Sequence, residues 1–442
     1  MSWQSGAVLL FVFQASTLLP AQSWDPLGRA ADTVSADTGG KLKISFEFRG
    51  RYEIRTGAAF GRDSEVDTGL VRTRLGLTYK PTSWLKLSGM LQDSRSPWYG
   101  ENAPSTVRDP TDLHEAYVEL FPDAKTGFGM TAGRKMLNYG DRRLIGSPQW
   151  NNLSRTFDHA RVYYRLPKVR FELLLISPVK IRLDGLNRPV LGERIWGTYN
   201  TFPNLPRKSL LDVYALRHDQ NREGGFSGGA RAAGTDRLAV NTFGFRLTGP
   251  LVLGLKHTME VAAQNGKVGA AEHRALAWFA GVSRLWTAAG RPLNIGAEYT
   301  FASGTRNPDD ARRSGTFDQL SPANHDKFGH EDLFGWRNLR NTRLIATCNW
   351  TKLFAVTLLY NNAWLVSSRD SLYSAAGRSI ARSPNGSAGR HVGQEADLFA
   401  TYRFQRFTLG AGYGYFFAGG FVVRTTPGAN PHYVYLFHTY SF

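Results

Sequence analysis

Residues 41–55 read KLKISFEFRGRYEIR, and the order of these side chains decides the fold. The even positions are Leu42, Ile44, Phe46, Phe48, Gly50, Tyr52 and Ile54; the odd ones are Lys41, Lys43, Ser45, Glu47, Arg49, Arg51, Glu53 and Arg55. A period of two held over that whole length predicts a strand with one apolar and one charged face.

The pattern recurs along the chain. In LVRTRLGLTYK, residues 70–80, Val71, Leu75, Leu77 and Tyr79 oppose Arg72, Arg74, Thr78 and Lys80. In SWLKLSGMLQ, residues 83–92, Leu85, Leu87 and Leu91 oppose Lys86, Ser88 and Gln92. Similar segments continue to the end, giving about eighteen strands, each near the nine to eleven residues that a tilted strand needs to cross a hydrocarbon layer. The register stays open over residues 210–216 and 339–350, where neither face is purely apolar. Short turns are expected at residues 81–83, 167–168 and 249–250, and long polar loops at 98–111, 138–158, 217–237, 303–336 and 367–393.

Soluble β-sandwiches also alternate, but their strands are typically about five or six residues long and their wet faces carry scattered charge. Rows of Lys and Arg on longer strands favour a barrel. Lipid cannot satisfy an open sheet edge, so such strands must close into a ring. The expected fold is therefore all-β, a transmembrane antiparallel β-barrel of about eighteen strands (16–18) in a bacterial outer membrane. The last residues, YVYLFHTYSF, set Val434, Leu436, Tyr440 and Phe442 on one face. An amphipathic final strand with an aromatic terminus resembles the signal by which outer-membrane barrels are recognised for insertion.

Composition agrees. The 442 residues include 46 Gly, 27 Phe, 18 Tyr and 11 Trp, and no apolar run is long enough to span a bilayer as a helix. The opening MSWQSGAVLLFVFQASTLLPAQS carries no charged side chain and a short apolar core, and reads as a secretory leader over residues 1–23. Residues 24–40 are expected as a short periplasmic segment and 41–442 as the barrel with long extracellular loops. Cys348 is the one cysteine, so no internal disulfide is expected. A net charge of +18 suits nucleic acid, anionic lipid headgroups or passing anions, and export removes the first.

With the apolar face toward lipid, the lumen receives Lys41, Lys43, Arg49, Arg51, Arg55, Arg72, Arg74, Lys80, Lys86, Arg161, Arg165, Arg246, Lys256 and Arg403, against fewer acids: Glu47, Glu53, Glu115, Glu119, Glu260, Glu298, Glu395 and Asp397. A basic excess between low-dielectric walls concentrates anions, and the guanidinium fork matches carboxylates. A plain ladder of paired barrel charges is the competing reading.

Two loops carry more specific patterns. Residues 133–162 contain Gly133-Arg134, then Tyr139-Gly140-Asp141-Arg142-Arg143, Trp150 and Arg155-Thr156-Phe157-Asp158-His159-Ala160-Arg161; residues 317–340 contain Phe317-Asp318-Gln319-Leu320, then His325, Gly329, Asp332 and Asn338-Leu339. These motifs resemble the alginate export family of outer-membrane proteins, with Lys135 departing from the family's Gln. The resemblance implies a narrow, arginine-rich channel for an anionic uronate polymer, with loops able to occlude it. It also brings Arg134, Arg142, Arg143 and Arg155 in as pore-lining residues on a loop folded inward, with binding of lipopolysaccharide phosphates as their alternative. The partners it implies are an anionic saccharide, outer-membrane lipid and lipopolysaccharide, and periplasmic secretion partners, with a monomer expected.

His325 and His330 with Asp326, Glu331 and Asp332 fit no strong metal-ligand spacing, so no metal and no cofactor is expected. No nucleophile elbow or ordered Ser, His and Asp set is present, and no enzyme is expected. Two alternatives remain beside the export channel: an uptake porin for small anionic solutes, and an outer-membrane hydrolase built on a barrel.

Overall fold

The computed structural model describes residues 25–98, 106–221, 237–325 and 327–442. Eighteen long antiparallel strands form a closed barrel. The first strand, Leu42–Thr56, pairs without interruption with the second, Glu65–Thr82, from Leu42 opposite Tyr79 to Thr56 opposite Glu65. It also pairs with the last, His432–Ser441, and that ladder closes the ring. Phe442 completes the seam by exchanging both backbone hydrogen bonds with Phe46 at 3.0 Å.

The faces fall as the alternation requires. Leu75, Leu77, Tyr79, Leu87 and Leu91 point outward and stay exposed, whereas Arg49, Arg51, Arg72 and Arg74 are buried inside. In a bilayer the first set meets acyl chains, and the ring leaves no unpaired backbone in the lipid.

Boundaries differ from the sequence expectation at several turns. The second strand runs on through Thr82, so the reversal is at Ser83-Trp84. The strand Leu238–Pro250 includes both Gly249 and Pro250, and the turn follows at Val252–Gly254. Proline is tolerated there because it ends the strand. Ser209–Gln220 carries Arg217 inside a strand and not in a loop. Both open registers resolve: Asp212, Tyr214 and Leu216 face inward on one strand, Asn341 and Arg343 on Leu339–Asn349. Further long loops lie at residues 181–192 and at 419–431, which holds the short helix Gly420–Thr425.

The leader expected over residues 1–23 lies outside the described residues. Just after it, Pro26–Asp37 forms a helix, capped by Asp25, whose side chain accepts the Gly28 backbone N–H at 3.0 Å. Arg406, in the turn before the strand Phe407–Ala418, pairs with Asp25 at 2.5 Å and Asp32 at 2.7 Å, so the helix is moored beside the barrel seam.

Two glycines on that same strand shape the lumen. A Cβ at Gly410 would lie 2.2 Å from the Phe437 ring and one at Gly412 2.3 Å from the Tyr435 ring. Their absence lets both aromatic rings of the last strand lie flat along the wall, where Trp150 packs edge-on against them at 4.7 and 5.6 Å.

Candidate functional site

The lumen is built by two loops that fold into it. The first, residues 136–156, is a compact hairpin closed by Tyr139 N–H to the Ile145 carbonyl (3.1 Å) and Ser147 N–H to Asn138 Oδ1 (2.9 Å). Arginines of the first two strands grip its far side. Arg49 donates to the carbonyls of Gln149 (2.8 Å) and Asn151 (3.0 Å), and Arg72 donates to the same two oxygens at 3.2 and 3.0 Å. Arg51 donates to the Trp150 carbonyl and lies 4.2 Å from that ring's centre. Arg74 holds the Gln149 side chain at 3.0 Å, while Gln92 and Ser94 take the carbonyls of Leu153 and Asn152.

The second loop, residues 303–338, is stitched to the first. Ile145 and Ser321 form a parallel bridge, Ala323 N–H donates to the Arg142 carbonyl at 2.9 Å, and Arg155 donates to the Pro322 carbonyl at 2.8 Å. Burial pushes the Arg155 guanidinium down to about 10, which still leaves it charged at neutral pH. Asp318 fixes the loop to the wall through His218 Nδ1 at 2.6 Å. Between the loops, Leu144, Ile145, Phe317, Leu320, Phe328, Phe334 and Trp336 form part of a buried apolar cluster. This layer lies within the barrel toward the end that carries the long loops.

Beside the loop layer, a cavity of about 540 Å³ opens along the wall. Arg142, Arg143, Lys256, Lys327 and Arg343 line it, against Asp141 and Glu298. Both acids are engaged: Arg246 holds Asp141 at 2.6 Å, and Arg343 holds Glu298 at 3.1 Å with Arg143 at 3.8 Å. The Arg143 guanidinium stacks 3.5 Å from the centre of the Phe279 ring, which keeps its plane fixed. Along this lining the basic side chains outnumber the acids.

Residues expected to line the pore thus fall into different places. Arg142 and Arg143 line the cavity. Arg49, Arg51, Arg72, Arg74 and Arg155 hold loops in position. Arg161 and Arg246 face the lumen but are paired, with Glu172 at 3.6 Å and with Asp212 at 3.2 Å. Arg165 caps the carbonyls of Phe121, Pro122 and Ala124 at the end with the short turns, and Arg403 is exposed at the same rim. Arg134 corrects the expectation: it lies in the strand Gly127–Lys135 on the outward parity of Phe128 and Met130, in a two-pronged bond to Asp158 at 2.7 and 3.1 Å. Lys327 and Arg343 were missed. Arg343 was open to detection, since exposed Leu344 beside it fixes its inward parity.

The tip of the second loop rests on carboxylates. Glu331 N–H donates to Glu395 Oε1 at 2.9 Å, His330 stacks 4.4 Å from Phe399, and the Tyr435 hydroxyl lies 3.1 Å from His330 Nδ1. His325 bonds Asp332 at 2.7 Å and stacks on Trp150 at 4.8 Å. No group of three potential ligands poised for a metal occurs among the described residues. Glu331 is also faced by Arg55, Asp397, Asp332 and Glu53. Burial, opposed by Arg55, pushes its carboxyl up to about 8. A carboxyl raised in the docked loop binds its proton more tightly there than when released. Docking is then strongest below the ordinary value of about 4.3 and weakens as pH rises through about 8. Open-state current in planar bilayers is expected to grow between about pH 5 and 8, and Glu331→Gln to flatten that slope; an unchanged slope in the variant contradicts the assignment.

A closed ring of tilted antiparallel strands, an apolar outer belt and a charged lumen narrowed by inward loops define a channel of the bacterial outer membrane. The chain belongs to the alginate export family, whose description matches residues 37–437. No curated protein matches it in sequence. Among solved structures it is similar to OccK11 (OpdR) of Pseudomonas aeruginosa, at 12% identity and a TM-score of 0.60 over 91% of this chain and 96% of that one. OpdK from the same organism, solved with vanillate, matches at 12% identity and 0.60, and OccK2 (OpdF), in complex with glucuronate, at 11% and 0.60; each alignment covers 91% of this chain and 98% of the other. At these identities the likeness is one of fold.

Proposed function

We propose that the channel passes carboxylate-bearing saccharides, a uronate polymer or its fragments, without chemistry and without a cofactor. The observation that carries this reading is the cavity in which Arg142, Arg143, Lys256, Lys327 and Arg343 outnumber Asp141 and Glu298. Guanidinium and ammonium groups spaced along a wall offer successive weak sites, which a polyanion exchanges as it advances. Family membership supports the polymer, and the glucuronate complex of OccK2 (OpdF) supports the uronate unit. The leader over residues 1–23, the monomeric state and the periplasmic secretion partners belong to the same proposal.

Reversal potentials across a salt gradient test the charge: anion preference is expected, and cation preference refutes the reading. Oligouronates should block the current where neutral oligosaccharides of equal length do not. In Lys256→Gln combined with Lys327→Gln, block should weaken by about tenfold, the equivalent of about 1.4 kcal/mol. Block by single uronates alone, with none by longer chains, would favour uptake of small solutes, the second reading that the vanillate and glucuronate complexes suggest.

A further inference from the structure

The outer wall carries a groove that the conduction of solutes does not use. It measures about 950 Å³ and crosses the strands Val169–Lys180, Glu193–Leu205 and Ser209–Gln220 toward their extracellular ends. Its floor is Leu173, Leu175 and Trp196, with Leu173 66% exposed, as a position facing acyl chains should be. Its upper lip is Arg194 and Arg237. The one acid there, Asp219, is engaged by Arg217 Nε at 3.0 Å and Trp196 Nε1 at 2.9 Å, whereas among the described residues neither Arg194 nor Arg237 is ion-paired. Elsewhere on the same rim, Arg95 is bound by Asp93 at 2.6 Å.

We propose that this groove is a binding site for a phosphorylated glycolipid of the outer leaflet, lipid A. Acyl chains lie along Leu173, Leu175 and Trp196, and a phosphate sits between the Arg194 and Arg237 guanidiniums, whose planar forks suit its oxygens. The charge complementarity is local: leucines below and uncompensated arginines above match a ligand whose anionic group sits at the top of its own hydrocarbon. The saccharide cargo has no such apolar half and travels on the other side of the wall. The bound lipid would hold strands next to the loop layer without entering the lumen.

The test is native mass spectrometry of the detergent-purified full chain mixed with diphosphoryl lipid A, the same lipid with both phosphates removed, or phosphatidylethanolamine. Retention of diphosphoryl lipid A with loss of at least about tenfold on dephosphorylation is expected, together with a similar loss in the Arg194→Ser, Arg237→Ser double variant. Arg134→Ser, on the outer wall but away from the groove, should bind as the parent does. Equal retention of all three lipids, or undiminished binding by the double variant, overturns the proposal. The double variant should keep the parent's conductance, which separates failure of this site from failure of the channel reading and reports that the barrel has folded.

Discussion

Replacing Arg49 and Arg72 together by serine is expected to raise single-channel conductance severalfold while leaving the barrel folded. Both guanidiniums grip the carbonyls of Gln149 and Asn151, four bonds in all. Hydrogen bonds from a charged donor contribute about 1.5–3 kcal/mol each. Even at the low end, losing all four removes more than the neighbouring Arg51, Gln92 and Ser94 contacts can restore, and the segment swings away from the wall. Glu47, which Arg72 holds at 2.7 Å, keeps only Arg74 at 4.0 Å and adds a free negative charge to the widened passage. Conductance should therefore rise as anion preference falls. Had these arginines been bare pore-lining sites, the substitution would lower preference without widening anything. Single-channel recordings in planar bilayers decide, and an unchanged or smaller conductance removes the clamp from the account. Arg74→Ser should loosen the loop as well as remove a cation, because Arg74 bonds Gln92 and Gln149.

Leu75→Arg is expected to destabilise the barrel by about 2–4 kcal/mol, the cost of arginine on the lipid face near the midplane. Leu75 lies at the centre of the outward row Tyr79, Leu77, Leu75, Thr73 and Val71, and is 51% exposed to what in the membrane is hydrocarbon. Phe46 stands directly opposite Leu75 in the ladder of the first two strands, so it lies at nearly the same depth. It packs with Phe442 and Tyr440 at 5.7 and 6.2 Å beside the seam. Phe46→Arg should therefore carry a similar lipid term of about 2–4 kcal/mol, plus the lost aromatic contacts. Unfolding in urea from lipid vesicles measures both. A negligible cost at both positions would mean that this face does not meet hydrocarbon.

The arginines show how much of the site was legible in the sequence. Parity alone put Arg49, Arg51, Arg72, Arg74, Arg161 and Arg246 inside, because a strand's side chains have only two directions to take. It could not say what each one meets there. Arg134 shows the converse: its loop-like motif suggested an inward position, yet the strand runs through it and parity sends it outward to Asp158. Lys327 left no periodic trace, since it sits in a loop whose path nothing local dictates.

What the sequence determined by itself is the shell, ring closure and the greasy belt, together with the family, which the motifs of two loops carry. The shell follows from a period of two read within some ten neighbouring residues, and from lipid's inability to hydrogen-bond a free edge. The tertiary structure alone decided how the loops occupy the lumen. Arg49 meets Gln149 across 100 residues and Arg155 meets Pro322 across 167. Such pairings depend on how two irregular loops share one confined space, and their energies come from backbone carbonyls, which every residue carries and no sequence pattern marks.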